Sequence, residues 1–272
     1  MNNNISQILP GSGSSGCKAC TPGAARRINI INAGSLDYAE ALKFQRDMQE
    51  LRRNGRIGDA LILLEHPPVI TLGVRGGSDN ILASADFLRE NNVSVYEVER
   101  GGDVTYHGPG QIVGYPVIDL NSYGRDIRRF VQNICMVFIR LLKNEFDIEA
   151  QFDEKKYTGV WVGRDKITAI GISVRKWITM HGFAFNVNTD LEHFKWIVPC
   201  GLQDKGITSL EKLTGCRQDM GRIFELTAGY FCSVFGADPF LAEMSDFQDY
   251  FRDESFPISM NHTPSQPDPP KK

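Results

Sequence analysis

The sequence predicts an α+β fold: a mixed β-sheet flanked by helices. Three observations lead there. Between residues 127 and 142 apolar side chains recur at i, i+3, i+4 and i+7, the period of one helix face. Later, "GVWVG", "KITAIGISVR" and "ITMHGFAFNVN" form three consecutive β-rich runs, punctuated only by "GRD" and "KW", as in a meander. Strand and helix runs are mixed along the chain instead of strictly alternating, which disfavours a doubly wound parallel sheet.

"RINIINAG" reads as the first strand. "SLDYAEALKFQRDMQELRRNG" reads as a helix, capped by Ser35 and stopped at Asn54-Gly55. "DALILLEHPPVITLG" holds two apolar runs; Pro67-Pro68 cannot sit in a central strand, so they read as two strands with a break. "ADFLRENN" reads as a short helix, "VSVYEV" and "IVGYPVIDL" as strands. The strongest helix is "DIRRFVQNICMVFIRLLKNEF", whose stripe is Ile127, Phe130, Val131, Ile134, Phe138, Leu141 and Leu142. Cys135 lies in that stripe and is expected in the core. Residues 219 to 251 return to helix, and no internal repeat is present.

The 272 residues are 42% hydrophobic and 23% charged, ordinary for a soluble globular protein. A net charge of -3 supplies no global basic field to recruit nucleic acid. No apolar run approaches the ~18 residues of a membrane helix. The first residues, "MNNNISQILPGSGSSG", lack the charged and apolar regions of a secretory signal. Cytoplasm is therefore expected, with the six cysteines as free thiols. Cys17 and Cys20 form a C-x-x-C pair, but in a Gly/Ser-rich leader with no further ligand pair for zinc. The expected layout is a disordered leader over 1–25, a catalytic domain over 26–252 and a disordered proline-rich tail over 253–272.

Four stretches join glycine to polar or reactive residues at predicted strand edges: "RGGDVTYHGPGQ", "DKITAIG", "HGFAFNV" and "PCGL". In the first, four glycines surround Arg100, Thr105, Tyr106 and His107, which favours a binding loop. This loop contains neither G-x-x-x-x-G-K-[ST] nor G-x-G-x-x-G, so it is not a known phosphate cradle. Cys200 sits between Pro199 and Gly201, where the chain turns, which suits a reactive thiol. A thiol of pKa about 8.5 needs a nearby cation to ionise at neutral pH. The candidates are His107, His181 and Lys166; His66 and His193 have no supporting motif. From spacing alone, Lys166 is either an exposed strand end or an ammonium turned into a pocket.

"RGGDVTYHGPGQIVGYPVIDL", "GRDKITAIGI", "HGFAFNVNTDL" and "IVPCGL…ITSL" resemble, in order, the four signature blocks of the lipoyl(octanoyl) transferases, octanoyl-[acyl carrier protein]–protein N-octanoyltransferases. That resemblance implies the fold of biotin protein ligase and lipoate ligase catalytic domains. It implies that Cys200 is the acyl-thioester nucleophile and that Lys166 lowers its pKa and handles a proton. It implies substrate-binding segments at Arg100, Gly101, Gly102, Asp103, Val104, Thr105, Tyr106 and His107, at Ala169, Ile170 and Gly171, and at Gly182, Phe183 and Ala184. The donor would be octanoyl-acyl carrier protein. The acceptors would be lipoyl domains of 2-oxoacid dehydrogenases and the glycine cleavage H protein. A thioester is already activated, so no ATP, metal or other cofactor is expected. The small residues Gly102, Ala169, Gly171, Gly182 and Ala184 would leave room for a chain-shaped ligand. In a regular strand, however, Lys166 and Ala169 face opposite sides, so either the strand bulges or the ligand meets backbone. Because both carriers are typically acidic, a basic face is expected from Arg125, Arg128, Arg129, Lys155, Lys156 and Arg164.

Overall fold

The computed structural model describes residues 26–153, 157–198 and 206–252. The leader with Cys17 and Cys20, the tail, Lys155, Lys156 and Cys200 lie outside the described residues.

A broad mixed sheet runs in the order β12-β1-β2-β6-β10-β9-β8-β7, with β11 against one end of β9. Its strands are β1 (Arg26–Ser35), β2 (Asp59–Glu65), β6 (Gln111–Val117), β7 (Gln151–Asp153), β8 (Tyr157–Val162), β9 (Asp165–Arg175), β10 (Ile178–Asn186), β11 (Gly206–Ile207) and β12 (Ala237–Ala242). A second sheet of β3 (Val69–Leu72), β4 (Ser94–Glu97) and β5 (Val104–His107) has the order β4-β3-β5. The helices are α1 (Tyr38–Arg53), α2 (Ala85–Glu90), α3 (Ile127–Phe146), α4 (Leu210–Thr214), α5 (Met220–Phe235) and α6 (Gln248–Arg252). Mixed sheet and flanking helices are the architecture expected.

The stripe of α3 packs with α5 on one face of the broad sheet; the Phe138 ring lies 4.9 Å from that of Phe183 and 5.0 Å from that of Phe185. Cys135 is buried there, as expected, and burial pushes its thiol up to about 12, so it stays protonated. On the other face α1 lays Phe44, Met48 and Leu51 over Ile62, Leu64 and Val113.

Several expectations are refined. Ser35 ends β1, and Asp37 caps α1 by accepting the Ala39 N–H at 2.8 Å. Pro67-Pro68 separates β2 and β3 into different sheets, a larger break than a kink between neighbours. Part of the glycine-flanked loop of 100–111 is strand β5. Residues 237–242 form the parallel edge strand β12, inside a stretch read as helix. The meander is present as β8, β9 and β10, and Lys176 and Trp177 turn β9 into β10 with φ of 49° and 68°.

That last turn bears on the expected basic face. Arg125 stands over the Trp177 ring, 5.5 Å from its centroid. Nine residues of β9 separate that hairpin from Lys166, roughly 30 Å at ~3.3 Å per residue. Arg125, Arg128 and Arg129 thus surround the start of α3 at the far end of β9 from Lys166, and among the described residues of that set only Arg164 lies at the Lys166 end.

Candidate active site

Beyond α1, β6, β10 and β9 form the floor of a cleft. Ala184 lies opposite Val113 on one side and Ala169 on the other, and Gly182 lies opposite Gly171. Residues paired across strands share a face, so these small side chains make one continuous surface. All of them line the cleft, together with Ile170 and Phe183.

Lys166 reaches the same surface through a β-bulge. Between β8 and β9 the pairing passes from Val160↔Thr168 to Trp161↔Lys166, so Ile167 is an extra residue on β9. Lys166 therefore shares a face with Trp161, Gly159 and Ala169, which resolves the alternation conflict. Ile167 points into the fully buried core under α3 and anchors the bulge. Gly159 makes room: a Cβ there would lie 3.4 Å from the Cδ and Cε of Lys166. The ammonium stands 4.8 Å from the Trp161 ring centroid. β11 closes the site, with Ile207 paired to Lys166 and the Thr208 N–H donating to the Lys166 carbonyl at 3.0 Å. Lys166 is half-buried and lines the cleft, so of its two readings the pocket ammonium is the one observed.

The facing wall comes from the loop between β4 and β5. Arg100 is buried and braced on Thr71: Nη2 donates to the Thr71 carbonyl at 2.8 Å and Nε to Oγ1 at 3.2 Å. The Gly101 N–H donates to Ile172 O at 2.9 Å, bringing wall onto floor. Two glycines serve this close approach more than ligand space. A Cβ on Gly171 would come within 2.6 Å of the Gly101 carbonyl oxygen, and one on Gly182 within 2.1 Å of that of Gly114. Ala169 and Ala184 are left as the residues whose size sets the floor. Gly102, Asp103, Val104, Thr105 and His107 also line the cleft. Tyr106 does not line it: its hydroxyl meets His193 Nδ1 at 2.7 Å and its ring packs against Phe194 and Trp196.

The inner end is walled by Tyr38, Tyr115, His107, Gln111 and His181. His66 stands behind them, its Nε2 2.7 Å from the Tyr115 hydroxyl and its Nδ1 2.7 Å from Leu36 O. No sequence pattern marked His66 or Tyr115; alternation along β6 puts Gln111, Val113 and Tyr115 on one face and was the available signal. His107 Nδ1 meets Gln111 Oε1 at 2.8 Å. Burial pulls His107 down to about 3 and His66 to about 4, and lowers His181 as well. At about 3, His107 is neutral at pH 7 and supplies no thiolate-stabilising cation, whereas His181 Nε2 lies 3.8 Å from the Glu99 carboxylate, which that contact pulls down. His181 has φ of 56° and donates its N–H to Gln45 Oε1 at 3.0 Å. Nearby, Pro116 offers no N–H to β10, and Thr179 Oγ1 bridges instead, donating to Pro116 O at 2.6 Å and accepting from Ile118 N at 2.9 Å.

Residues 37–231 match the family profile described as the lipoyl protein ligase A/B catalytic domain. An octanoyltransferase of Caldicellulosiruptor bescii is 59% identical over 77% of this chain and 92% of its own length. One from Desulforamulus reducens is 49% identical over 78% and 93%. Among solved structures, a lipoate-protein ligase A bound with ATP superposes with TM-score 0.66 at 15% identity, covering 85% of this chain and 93% of that one. A bi-partite lipoate protein ligase from Thermoplasma acidophilum gives 0.61 at 14%, covering 88% and 98%. At those identities the two structures speak for the fold alone.

Proposed function

This chain belongs to the lipoyl(octanoyl) transferase family and is an acyltransferase, and from that premise we propose a two-step acyl transfer through Cys200 with Lys166 as its activating cation. Octanoyl-acyl carrier protein is the donor, and the ε-amine of a lysine on a lipoyl domain is the acceptor. The acceptor proteins are 2-oxoacid dehydrogenases and the glycine cleavage H protein, and the compartment is the cytoplasm. Among the described residues no helix is long and apolar enough to cross a membrane.

In the first step the Cys200 thiolate attacks the thioester carbonyl. The bond to the carrier's sulfur breaks, and that sulfur leaves as a thiol after taking up a proton. In the second step the lysine amine attacks the octanoyl-enzyme, loses a proton, and expels the Cys200 thiolate as the amide forms. Two carriers then never need to be bound together. The Lys166 ammonium stabilises the thiolate and donates the proton that the carrier's sulfur takes up in the first step; then neutral, it accepts the amine's proton in the second, which restores the ammonium as the thiolate leaves. The floor and the wall take the acyl chain; burying eight carbons at ~0.8 kcal/mol each contributes about 5 kcal/mol when most of the chain is covered. Arg100 to His107 (Tyr106 excepted), Ala169 to Gly171 and Gly182 to Ala184 are the binding segments.

The observation that carries this reading is the bulge at Ile167, which turns Lys166 onto the apolar floor of Ala169 and Ala184. The test is intact mass after incubation with octanoyl-acyl carrier protein without ATP. An octanoyl adduct lost in Cys200→Ala is the expected result. An adduct that requires ATP and free acid assigns the chain to ligase chemistry instead, and no adduct under either condition leaves a non-catalytic acyl binder.

A further inference from the structure

Cys200 is preceded by Trp196, Ile197 and Val198, and this run is held by residues 80–83. The Val198 N–H donates to the Asn80 carbonyl at 2.8 Å, and the Leu82 and Ala83 N–H groups both donate to Trp196 O, at 2.8 and 3.2 Å. Ile81 and Ile197 form an antiparallel bridge. Trp196 itself is packed by aromatic side chains, its ring 4.1 Å from that of His193 and 5.6 Å from that of Phe87.

The same Asn80 turns its side chain to the cleft wall. Its Nδ2 donates to both carboxylate oxygens of Asp103, at 2.9 and 3.0 Å. Asp103 is pinned in turn: Oδ1 accepts from its neighbour Val104 N–H at 2.7 Å, and its carbonyl accepts from Gly73 at 3.1 Å. Gly76 permits the approach, since a Cβ there would lie 3.2 Å from Asp103 Oδ1. Asn80 closes a single 3-10 turn, Ser78–Asn80, with its own N–H on Gly77 O at 3.0 Å. One half-buried side chain thus joins the wall loop to the run that leads into Cys200.

We propose that Asn80 is a positioning residue for acyl transfer, which holds the wall loop at Asp103 and the run Trp196–Val198 at one fixed spacing so that the nucleophile and the acyl chain meet. The assignment rests on Cys200 being the nucleophile. An amide is the side chain this junction needs. It donates to a carboxylate without adding charge, and it is short enough to leave its own backbone carbonyl on Val198. A hydrogen bond to an ionised acceptor is stronger than a neutral one. Glutamine is a methylene too long, and aspartate sets two carboxylates face to face.

The test uses the full-length chain and four proteins: wild type, Asn80→Ala, Asn80→Asp, and the swapped pair Asn80→Asp with Asp103→Asn, which rebuilds the same hydrogen bond with donor and acceptor exchanged. Four readouts are taken with the melting temperature: the iodoacetamide labelling rate of Cys200, the acylation rate constant at saturating octanoyl-acyl carrier protein, the donor KM, and hydrogen exchange at the Val198 amide. Asn80→Ala should slow acylation about tenfold with the donor KM within about threefold of wild type, and should speed hydrogen exchange at the Val198 amide. Asn80→Asp should be slower still, and the swapped pair should be at least about tenfold faster than Asn80→Asp. A wild-type rate in Asn80→Ala overturns the assignment, and so does a swapped pair no faster than Asn80→Asp. Loss confined to KM or to melting temperature also overturns it, since a purely structural contact would give that pattern. If wild type forms no octanoyl adduct, the transferase reading fails by itself; the labelling rates and Val198 exchange in the same four proteins then decide whether Asn80 fixes this junction.

Discussion

The floor and the wall of the cleft are built by different physics. The floor is sheet: β6, β10 and β9 are paired to neighbours on both edges, and their far face is buried under α3 and α5. Lys166, Ala169 and Ala184 take their positions from register, which one buried face determines strongly. The wall is loop: Arg100 to Asp103 is held by scattered hydrogen bonds to Thr71, Gly73, Ile172 and Asn80. A change in the floor should act on the chemical step and on fit. A change in the wall should act on spacing and on binding.

The sharpest way to break this distinction is at Lys166. Lys166→Ala should lower transfer about a thousandfold, within the ~10²–10⁴ range of a positioned acid–base group, and raise the alkylation pKa of Cys200 towards about 8.5. Labelling with iodoacetamide as a function of pH, alongside turnover, checks both. Equal titration in the two proteins would remove Lys166 as activator and make His181, beside Glu99, the cleft imidazole to test next, since His107 is held neutral.

Deleting Ile167 removes the bulge while keeping the lysine. Lys166 then stands two residues from Ala169, so regular alternation keeps it on the floor, and transfer should stay within about tenfold of wild type with the thiol pKa unchanged. Ile167 is fully buried, so a melting curve must accompany the assay. Loss of transfer with a raised thiol pKa in a folded deletion variant would mean that the pairing of β8 with β9 does not hold the lysine on the floor.

Arg100→Lys tests the wall. The guanidinium serves Thr71 through two nitrogens, a geometry that an ammonium cannot reproduce. The expected cost is about 1–3 kcal/mol in stability, with donor KM rising roughly tenfold and the Cys200 labelling pKa unchanged. A shifted Cys200 labelling pKa with unchanged donor KM would erase the contrast between wall and floor.

The smallest effect concerns acid. His66 and His107 are buried and neutral, at about 4 and about 3 against an ordinary 6.5. Between those values the unfolded chain binds more protons than the folded one, so stability is full above about pH 6.5 and falls as the pH drops towards 3. His66→Gln should flatten the slope between pH 6.5 and 4 relative to wild type, measured by urea unfolding across that range. An unchanged slope would show that His66 is not held neutral by the fold.

Much of the floor was legible in the chain. The 3.6-residue stripe of 127–142 made α3, and Asn54-Gly55 ended α1 where the left-handed Gly55 stops it. The meander followed from alternation and two short polar turns. These are local signals, carried by neighbours in sequence. The four motif blocks likewise marked which residues to watch, and all of the described ones except Tyr106 line one cleft.

What the chain alone could not decide depends on contacts between distant segments. Pro67-Pro68 announces a break, but only packing sends β3 into another sheet. The exposed edge strand β12, with Pro239 in it and Phe240 and Leu241 both exposed, has no alternation to announce it. His66 had no motif because its partners, Leu36 and Tyr115, are 30 and 49 residues away. Whether Lys166 faces solvent or cleft turned on one extra residue, and a bulge is set by the partner strand β8 and the core beneath Ile167. Side-chain type and period are properties of the chain; register, bulge and the bridge from Asn80 to Asp103 arise only when separate strands and loops are brought together.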